Sequence, residues 1–502
     1  MLGIDVGTTS VKAVLISSEG RIAAEANYAH DLLSPHPNWA EENAEIWWDN
    51  TVKAVKELHS RLPKAFQNLR CIGCSGMVPA LVLLDADGKP VRNTIQQNDA
   101  RATAQIERLT AALDQDKLYE RTGGRTNQQH ILPRLLWVKE NEPEAWAKLD
   151  TVMGSYDYIV YRLSGVKSLE INWAVESGSF DIHSGEWIPE YLTPFGLDES
   201  LFPKVNASME IVAKTCPEMQ LLCGLPAGIP IIAGSADHVA STLAAGIVAE
   251  GDLLIKFGGA GDILYCTDQL ITSPKLFIDY HDVPNQYLIN GCMAASGSLV
   301  KWYTKDILES DDPAILKKMD EAAEKLPPAS DGLVILPYFL GEKTPLFDPT
   351  ARGVLCGLTL SHTRAHIFRA ALEAVIYGFR HHIEVLRDMG LVPRRIIATN
   401  GGAKSRFWCQ IAADVLHAEI RAYPAHPGSA LGVAFLAGFA VGMFTRWEDV
   451  NLFLTDSRTF TPNPDSERIY DRAYAVYRAL YTELTPSFKA LFALYDTNGA
   501  DK

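Results

Sequence analysis

Residues 1–16 read MLGIDVGTTSVKAVLI, and the fold is decided there. Leu2, Ile4 and Val6 alternate with Gly3 and Asp5, the period of a strand with one apolar face and a carboxylate on the other. Gly7-Thr8-Thr9-Ser10 makes a tight turn and Val11 to Ile16 a returning strand, so the segment predicts a β-hairpin. The turn offers backbone N–H groups and hydroxyls beside Asp5, with Lys12 just beyond. Such a turn can hold a phosphate oxygen, and Asp5 can hold a magnesium ion through water. The plain alternative is an ordinary hairpin; a strand Asp next to Gly-Thr-Thr favours phosphate handling.

The same design recurs at residues 253–264, LLIKFGGAGDIL, without close identity to the first. Two halves that each open on strand, turn and strand predict a duplicated α/β fold with a ligand between them. A composition shift at Gly246 to Asp252 divides the chain into domains over 1–246 and 247–502. In the first, Cys71 to Gly73 and Ala80 to Leu84 flank a turn ending in Asp85-Ala86-Asp87-Gly88, a hairpin signal. Residues 135–148 read as a helix interrupted near Pro143. Ile229 to Gly234 is a short buried strand, followed by Ser235-Ala236-Asp237-His238 and a helix from Val239 to Ala245. In the second, Phe368, Leu372, Val375, Phe379, Ile383 and Leu386 give an amphipathic helix over 364–387. Ile396 to Thr399 is a strand leading into Asn400-Gly401-Gly402-Ala403-Lys404-Ser405 and a helix carrying Trp408 and Ile411. A last helix over about 466–491 carries Tyr470, Tyr474, Tyr477 and Tyr481 as a stripe for core or dimer packing, and Asn498 to Lys502 are expected to fray.

A chain of 502 residues is too long for one core, so two or three domains are expected. With 47% hydrophobic and 21% charged residues the composition is that of a soluble enzyme. A formal charge of −15 argues against nucleic acid or an anionic membrane as partner. The longest apolar stretch, Leu431 to Phe444, is too short to span a bilayer and reads as a buried helix. No signal peptide precedes the first strand, and a cytoplasmic location is expected. The eight cysteines are scattered through apolar surroundings as core thiols, and Cys71 and Cys74 lack the partners of a zinc site.

These motifs together resemble the FGGY carbohydrate kinases, and within them the xylulokinase-like pentulose kinases. The resemblance rests on GIDVGTTSVK at 3–12, NWAEENAEIWW at 38–48, LLWVKENEPEAW at 135–146 and AGSADHVASTLAAGIVAEGDL at 233–253. It continues in LPYFLGEKTPLFDPTARGVLCGLTLSHTRAHIFRAALEAV at 336–375, GGAKSRFWCQIAADVL at 401–416 and SALGVAFLA at 429–437. It implies two actin-like, RNase-H-type domains closing over an inter-domain cleft. It also implies transfer of the γ-phosphoryl of ATP, with Mg2+, to a sugar hydroxyl, and a possible homodimer.

By this resemblance Asp237 is the general base, with helix capping as its structural alternative. Asp5 is the magnesium-side carboxylate. Gly7, Thr8, Thr9 and Lys12 approach the phosphates, Gly258, Gly259 and Ala260 form the second phosphate turn, and Gly401, Gly402, Ala403 and Ser405 the adenosine-side loop. Met77, Val78, Pro79, Asp99, Asp237 and His238 are the sugar-side residues. Domain closure is expected to exclude water.

The sequence departs from the family pattern in places. The second turn is Gly258-Gly259-Ala260-Gly261 in place of G-T-S-G, without its two hydroxyls. Val78-Pro79 stand where xylulokinases have Met-His, Gln97 replaces the Trp of W-N-D-x-R, and His238 follows the base in place of Asn or Gln. His238 either bonds a sugar hydroxyl or is a satisfied core imidazole. Asn127-Gln128-Gln129-His130 is a pocket rim or an exposed loop, and Trp39 packs over the core of the sugar-side domain or touches substrate. D-xylulose is the leading substrate. The alternatives are D-ribulose, L-ribulose, L-xylulose, glycerol or erythritol, or a sugar-sensing pseudokinase.

Overall fold

The computed structural model describes residues 1–496, so the expected tail over Asn498 to Lys502 lies outside the described residues. Leu2–Val6 pairs antiparallel with Ser10–Ile16 and parallel with Ile72–Gly76. The sheet runs Ile211–Lys214, Pro230–Ile232, Ile72–Gly76, Leu2–Val6, Ser10–Ile16, Ile22–Ala29, and Ser235–Ala236 also pairs with Ile72–Gly76.

The chain forms two compact units. The first comprises Met1–Val248, Ile278–Tyr287 and Pro427–Phe453; the second comprises Ala249–Phe277, Leu288–His426 and the chain from Leu454 onward. A single cut after residue 246 therefore does not describe the division. The helix Ser429–Ala440 belongs to the first unit because it packs on Leu2–Val6, Ser10–Ile16 and Ile72–Gly76. It is apolar all round and buried, as the Leu431 to Phe444 stretch predicted, and it ends before Gly442 at φ 72°. The approach is close. A Cβ on Gly3 would lie 1.9 Å from the carbonyl oxygen of Ala430, and one on Gly432 1.9 Å from that of Ala240. The Gly3 of the opening alternation is thus where the helix lies against the strand. Met1, Val14, Ile16, Leu431, Val433, Phe435 and Phe444 share this core, where each fully buried Leu, Val or Phe contributes about 1.5–3 kcal/mol.

One expectation in the first unit is corrected. The hairpin between Cys71 and Leu84 does not form. Ile72–Gly76 has strands on both edges, so no edge remains for Val82–Leu84, which pairs with Thr151–Met153. The Asp85-to-Gly88 turn does form, the Gly88 N–H donating to the Asp85 carbonyl at 2.9 Å, but it folds Leu84 back onto Pro90. The helix read over 135–148 with an interruption near Pro143 is found as two helices, Ile131–Asn141 and Pro143–Trp146, broken where it was expected. They are separated by Glu142 at φ −128°, ψ 64°, the non-helical backbone that a following proline favours.

In the second unit Asp252–Phe257 pairs antiparallel with Gly261–Thr267 and parallel with Arg395–Thr399, and the sheet continues through Ile420–Ala422 to an antiparallel Arg458–Phe460. This repeats the first sheet's succession of antiparallel hairpin, two parallel neighbours and a reversed edge strand, the duplication that the two hairpins predicted. Arg364–Asp388 is one helix, as its periodicity predicted. The tyrosine stripe of Pro464–Asp496 is core: Tyr470, Tyr474 and Tyr477 are buried against Tyr377, and Tyr338 donates to Tyr477 at 2.9 Å. No helix of the described residues is long and apolar enough to cross a membrane, and none of the eight cysteines is joined in a disulfide.

Candidate active site

In the first unit a polar row crosses four strands. Asp5 lies opposite Lys12 on one side and Ser75 on the other, and Ser75 lies opposite Ser235. Directly paired residues share a face of the sheet. Ser75 Oγ donates to Asp5 Oδ1 at 2.8 Å, and Ser429, the first residue of the helix Ser429–Ala440, also hydrogen-bonds the Asp5 side chain. The carboxylate therefore sits at a helix N-terminus. Burial and the like charge of Asp237 still raise its pKa to about 6. Lys12 does not neutralise it alone, because its Nζ also pairs with Glu25 at 2.7 Å and reaches the Pro427 carbonyl at 3.4 Å. The Gly7 N–H donates to the Ser10 carbonyl at 3.0 Å and closes the turn, with Thr9 exposed at its tip.

Two residues beyond Ser235, Asp237 opens the helix Asp237–Ala244. Its position differs from the capping alternative: Ala236 is the cap, and Asp237 is the first helical residue. Asp237 Oδ1 accepts the His238 N–H at 2.6 Å. The His238 ring lies between two carboxylates, Nδ1 3.5 Å from Asp237 Oδ1 and Nε2 2.9 Å from Asp279 Oδ2. Burial alone would lower the His238 pKa, but Asp279 and Asp237 together raise it well above the ordinary value, so the two carboxylates favour the charged form of the ring.

Behind this group is a carboxylate cluster. Ser235 donates to Asp282 at 3.0 Å, while Glu170 accepts from Tyr156 at 2.7 Å and from Ser208 at 2.8 Å. Burial raises Glu170 and Glu176 to about 7 and Asp282 to about 8, with the charge of Asp279 adding at Glu176 and that of Glu170 adding at Asp282. Asp279, Asp282, Glu170 and Glu176 were missed in the sequence. Their signal was an acid within an apolar run, as in Phe277-Ile278-Asp279-Tyr280.

Of the sugar-side residues, Met77, Val78 and Pro79 are buried. The Met77 N–H donates to the Val6 carbonyl at 3.1 Å, and its own carbonyl accepts from Ser155 Oγ at 2.8 Å. The Val78–Pro79 peptide is cis. Arg134 Nη1 donates to the carbonyls of Pro79 and Gln96, each at 2.9 Å. This fully buried arginine was also missed; its signal is the single charge in Ile131-Leu132-Pro133-Arg134-Leu135-Leu136. Asp99 is committed to structure. It accepts from Arg101 Nε at 2.9 Å, Arg101 Nη2 at 2.7 Å and the Ala40 N–H at 2.6 Å, and the same guanidinium lies 3.7 Å from the Trp39 ring centroid. In the Asn127-to-His130 cluster Gln128 is exposed, whereas His130 is buried beside Asn127 and stays neutral, burial lowering its pKa to about 4.

In the second unit, the carbonyls of Gly258 and Gly259 accept N–H groups from the start of the helix Gly297–Trp302: Gly297 to Gly258 at 2.7 Å, Ser296 and Ser298 to Gly259 at 2.8 and 3.1 Å. A Cβ at Gly259 would meet nothing, so this side of the turn is open. Ser296 and Ser298 carry buried hydroxyls without a protein partner next to the turn that lacks the family's two. Lys256 stands opposite Asp262 and 3.6 Å from it. In the other loop Gly401 is exposed, while a Cβ on Gly402 would lie 2.5 Å from Phe257 Cβ. Ala403 is buried, and Ser405 Oγ accepts the Trp408 N–H at 3.0 Å and donates to Asp320 at 2.7 Å. Ser405 is thus the cap of Arg406–Leu416.

The family models for the N-terminal and C-terminal domains of the FGGY family of carbohydrate kinases match residues 1–244 and 267–441. The chain belongs to this family. It is a carbohydrate kinase, with ATP as cosubstrate. A xylulose kinase of Bacillus subtilis (strain 168) is 29% identical over 96% of this chain and 96% of its own length. A gluconokinase of the same organism is 27% identical over 94% and 93%. Among solved structures, that of the xylulose kinase from Rhodospirillum rubrum is 40% identical, with a TM-score of 0.92, covering 97% of this chain and 99% of its own. The family's actin-like, two-domain α/β fold is the one found here, and its paired hairpins are those of residues 2–16 and 252–267.

Proposed function

We infer that this chain transfers the γ-phosphoryl group of ATP to a hydroxyl of a pentulose, with D-xylulose as the leading substrate. The observation that carries the reading is Asp237 at the head of a helix, two residues beyond the row Lys12, Asp5, Ser75 and Ser235. Full-length relatives named xylulose kinase support the choice of sugar. Phosphoryl transfer is chiefly a matter of position and charge. Asp237 accepts the proton of the sugar hydroxyl as that oxygen bonds to the γ-phosphorus and the bond to ADP breaks. The turns at Gly7-Thr8-Thr9 and at Gly258-Gly259-Ala260 hold phosphate oxygens, with Lys12 and Lys256 the nearby cations.

Asp5 and Ser75 fit Mg2+. The carboxylate is burdened by burial and by Asp237, and oxygen donors are what this ion takes. When bound, magnesium neutralises phosphate charge. Met77, Val78 and Pro79 line the sugar side as an apolar, donor-poor wall, and Asp99 shapes it through Arg101. Gly401 is the part of its loop that the nucleotide approaches. The free thiols agree with a reducing, cytoplasmic setting.

The test is ADP release with Mg-ATP against D-xylulose, D-ribulose, L-ribulose, L-xylulose, glycerol, erythritol and D-gluconate. Strong stimulation by D-xylulose supports the reading. Stimulation by another acceptor alone replaces the sugar, and ATP binding without product from any acceptor points to a sensor.

A further inference from the structure

Replacement of Asn or Gln by His after the base is, taken alone, an isolated departure from the family pattern. The structure couples it to a second residue. Asp279, forty-one positions downstream, is fully buried, and its Oδ2 lies 2.9 Å from His238 Nε2. An imidazole bonded to a buried carboxylate through Nε2 has its orientation set by that bond. Here the ring then presents Nδ1 to Asp237 Oδ1 at 3.5 Å, while the backbone N–H of the same residue holds that oxygen at 2.6 Å.

We propose that His238, clamped by Asp279, is a positioning residue for the base: as a fixed cation it holds Asp237 Oδ1 and keeps Asp237 ionised among the carboxylates around it. The inference rests on Asp237 being the base. It adds no chemical step. The proton still passes from the sugar hydroxyl to Asp237, and His238 neither gains nor loses one.

The surroundings explain why such a cation is needed. Asp5 repels Asp237 from Leu2–Val6, which lies on the far side of Ile72–Gly76 from Ser235–Ala236. Asp279 and Asp282 lie on and just after Phe277–Tyr280, and Glu176 follows Ile171–Val175. Both Asp282 and Glu176 feel the His238 charge. Tyr156 senses Asp237 from the helix Ser155–Ser164 and is itself held neutral by burial. Arg134 bears on Glu176, and Lys12 bears on Asp5. Two carboxylates that cannot both ionise freely would leave the base protonated part of the time; an imidazolium against Asp237 opposes this. The raised His238 pKa agrees with the geometry.

The experiment is the pH profile of kcat/KM for ADP release between about pH 5.5 and 9, for wild type, His238→Asn, Asp279→Asn and the double variant. Removing the cation should move the acid limb of each single variant to higher pH by about one unit. KM for ATP should be unchanged, and the double variant should shift no further than a single one, as coupled residues do. An acid limb that stays in place overturns the proposal, whether activity falls uniformly, as for a structural role, or KM for the sugar alone rises, as for a sugar contact. If Asp279→Asn does not fold by circular dichroism, His238→Asn carries the same test, since its ring is partly exposed. Asp237→Asn is run in parallel: retained activity there overturns the base assignment itself, a different result from an unmoved limb.

Discussion

The two strand–turn–strand segments share topology and reverse their charges. In the first, Asp5 stands two residues before the turn and Lys12 opposite it; in the second, Lys256 stands two residues before the turn and Asp262 opposite it. The first pair sits among carboxylates, with Asp237 near enough to help raise Asp5 to about 6. The second turn is an open stretch of Gly-Gly-Ala whose carbonyls are occupied by N–H groups from residues 296–298. One backbone design has thus been used twice with opposite electrostatics. The first segment suits a divalent cation and a proton acceptor, the second a polyphosphate.

The sharpest way to break this comparison is to neutralise each inner charge. Asp5→Asn should lower kcat about a hundredfold or more and raise the magnesium concentration needed for half-activity. Lys256→Met should raise KM for ATP about tenfold, a change of about 1.4 kcal/mol, and leave the magnesium dependence alone. Steady-state kinetics in ATP and magnesium separate the two. Exchange of these phenotypes would mean the charges have been read the wrong way round.

Next in size is a stability effect. Gly3→Ala drives a methyl into the Ala430 carbonyl, and the clash should cost about 1–3 kcal/mol or more in denaturant unfolding. The corresponding position for the open turn is Gly259, where a methyl meets nothing. Gly259→Ala should therefore leave Tm unchanged within error while weakening ATP binding, because it covers the face of the turn that phosphate would approach.

The acid cluster of the first unit predicts a pH effect. Asp5, Glu170, Glu176 and Asp282 are all raised, so between about pH 6.5 and 8 the folded state binds more protons than the unfolded state and stability falls as pH rises. Each proton of difference contributes about 1.4 kcal/mol per pH unit. Asp282→Asn should flatten this slope and stabilise the ligand-free protein at pH 8, as seen in thermal unfolding. An unchanged slope would mean that the cluster is already neutralised. The smallest expected effects are at Ser296 and Ser298. If their hydroxyls replace those missing from the turn, Ser→Ala at either should raise KM for ATP about three- to tenfold with no loss of Tm; unchanged KM would leave the turn to its backbone donors.

Much of this was legible in the chain. Period-two alternation and a Gly-rich turn were enough for both hairpins, because local geometry alone makes them. The helices at 364–388 and 429–440 followed from apolar patterning. The false hairpin at 71–84 arose because the sequence does not reveal that Ile72–Gly76 already has partners on both edges. The site split in the same way. Asp5 and Asp237 lie next to local motifs, whereas Asp279 reaches His238 only through the fold, and Arg134 holds carbonyls of residues 38 and 55 positions away. Asp99 and Ser405 fitted motifs, yet their polar atoms are committed to Arg101 and to a helix cap.

The measurement that tests the account most directly is single-turnover transfer from γ-32P-labelled Mg-ATP to D-xylulose, by wild type and Asp237→Asn, with ATP affinity measured in both. The account predicts labelled sugar phosphate from the wild type. It predicts transfer slowed about a hundred- to ten-thousand-fold in the variant, with ATP bound equally well by both. Labelled inorganic phosphate as the only wild-type product, or transfer by Asp237→Asn at the wild-type rate, would contradict it.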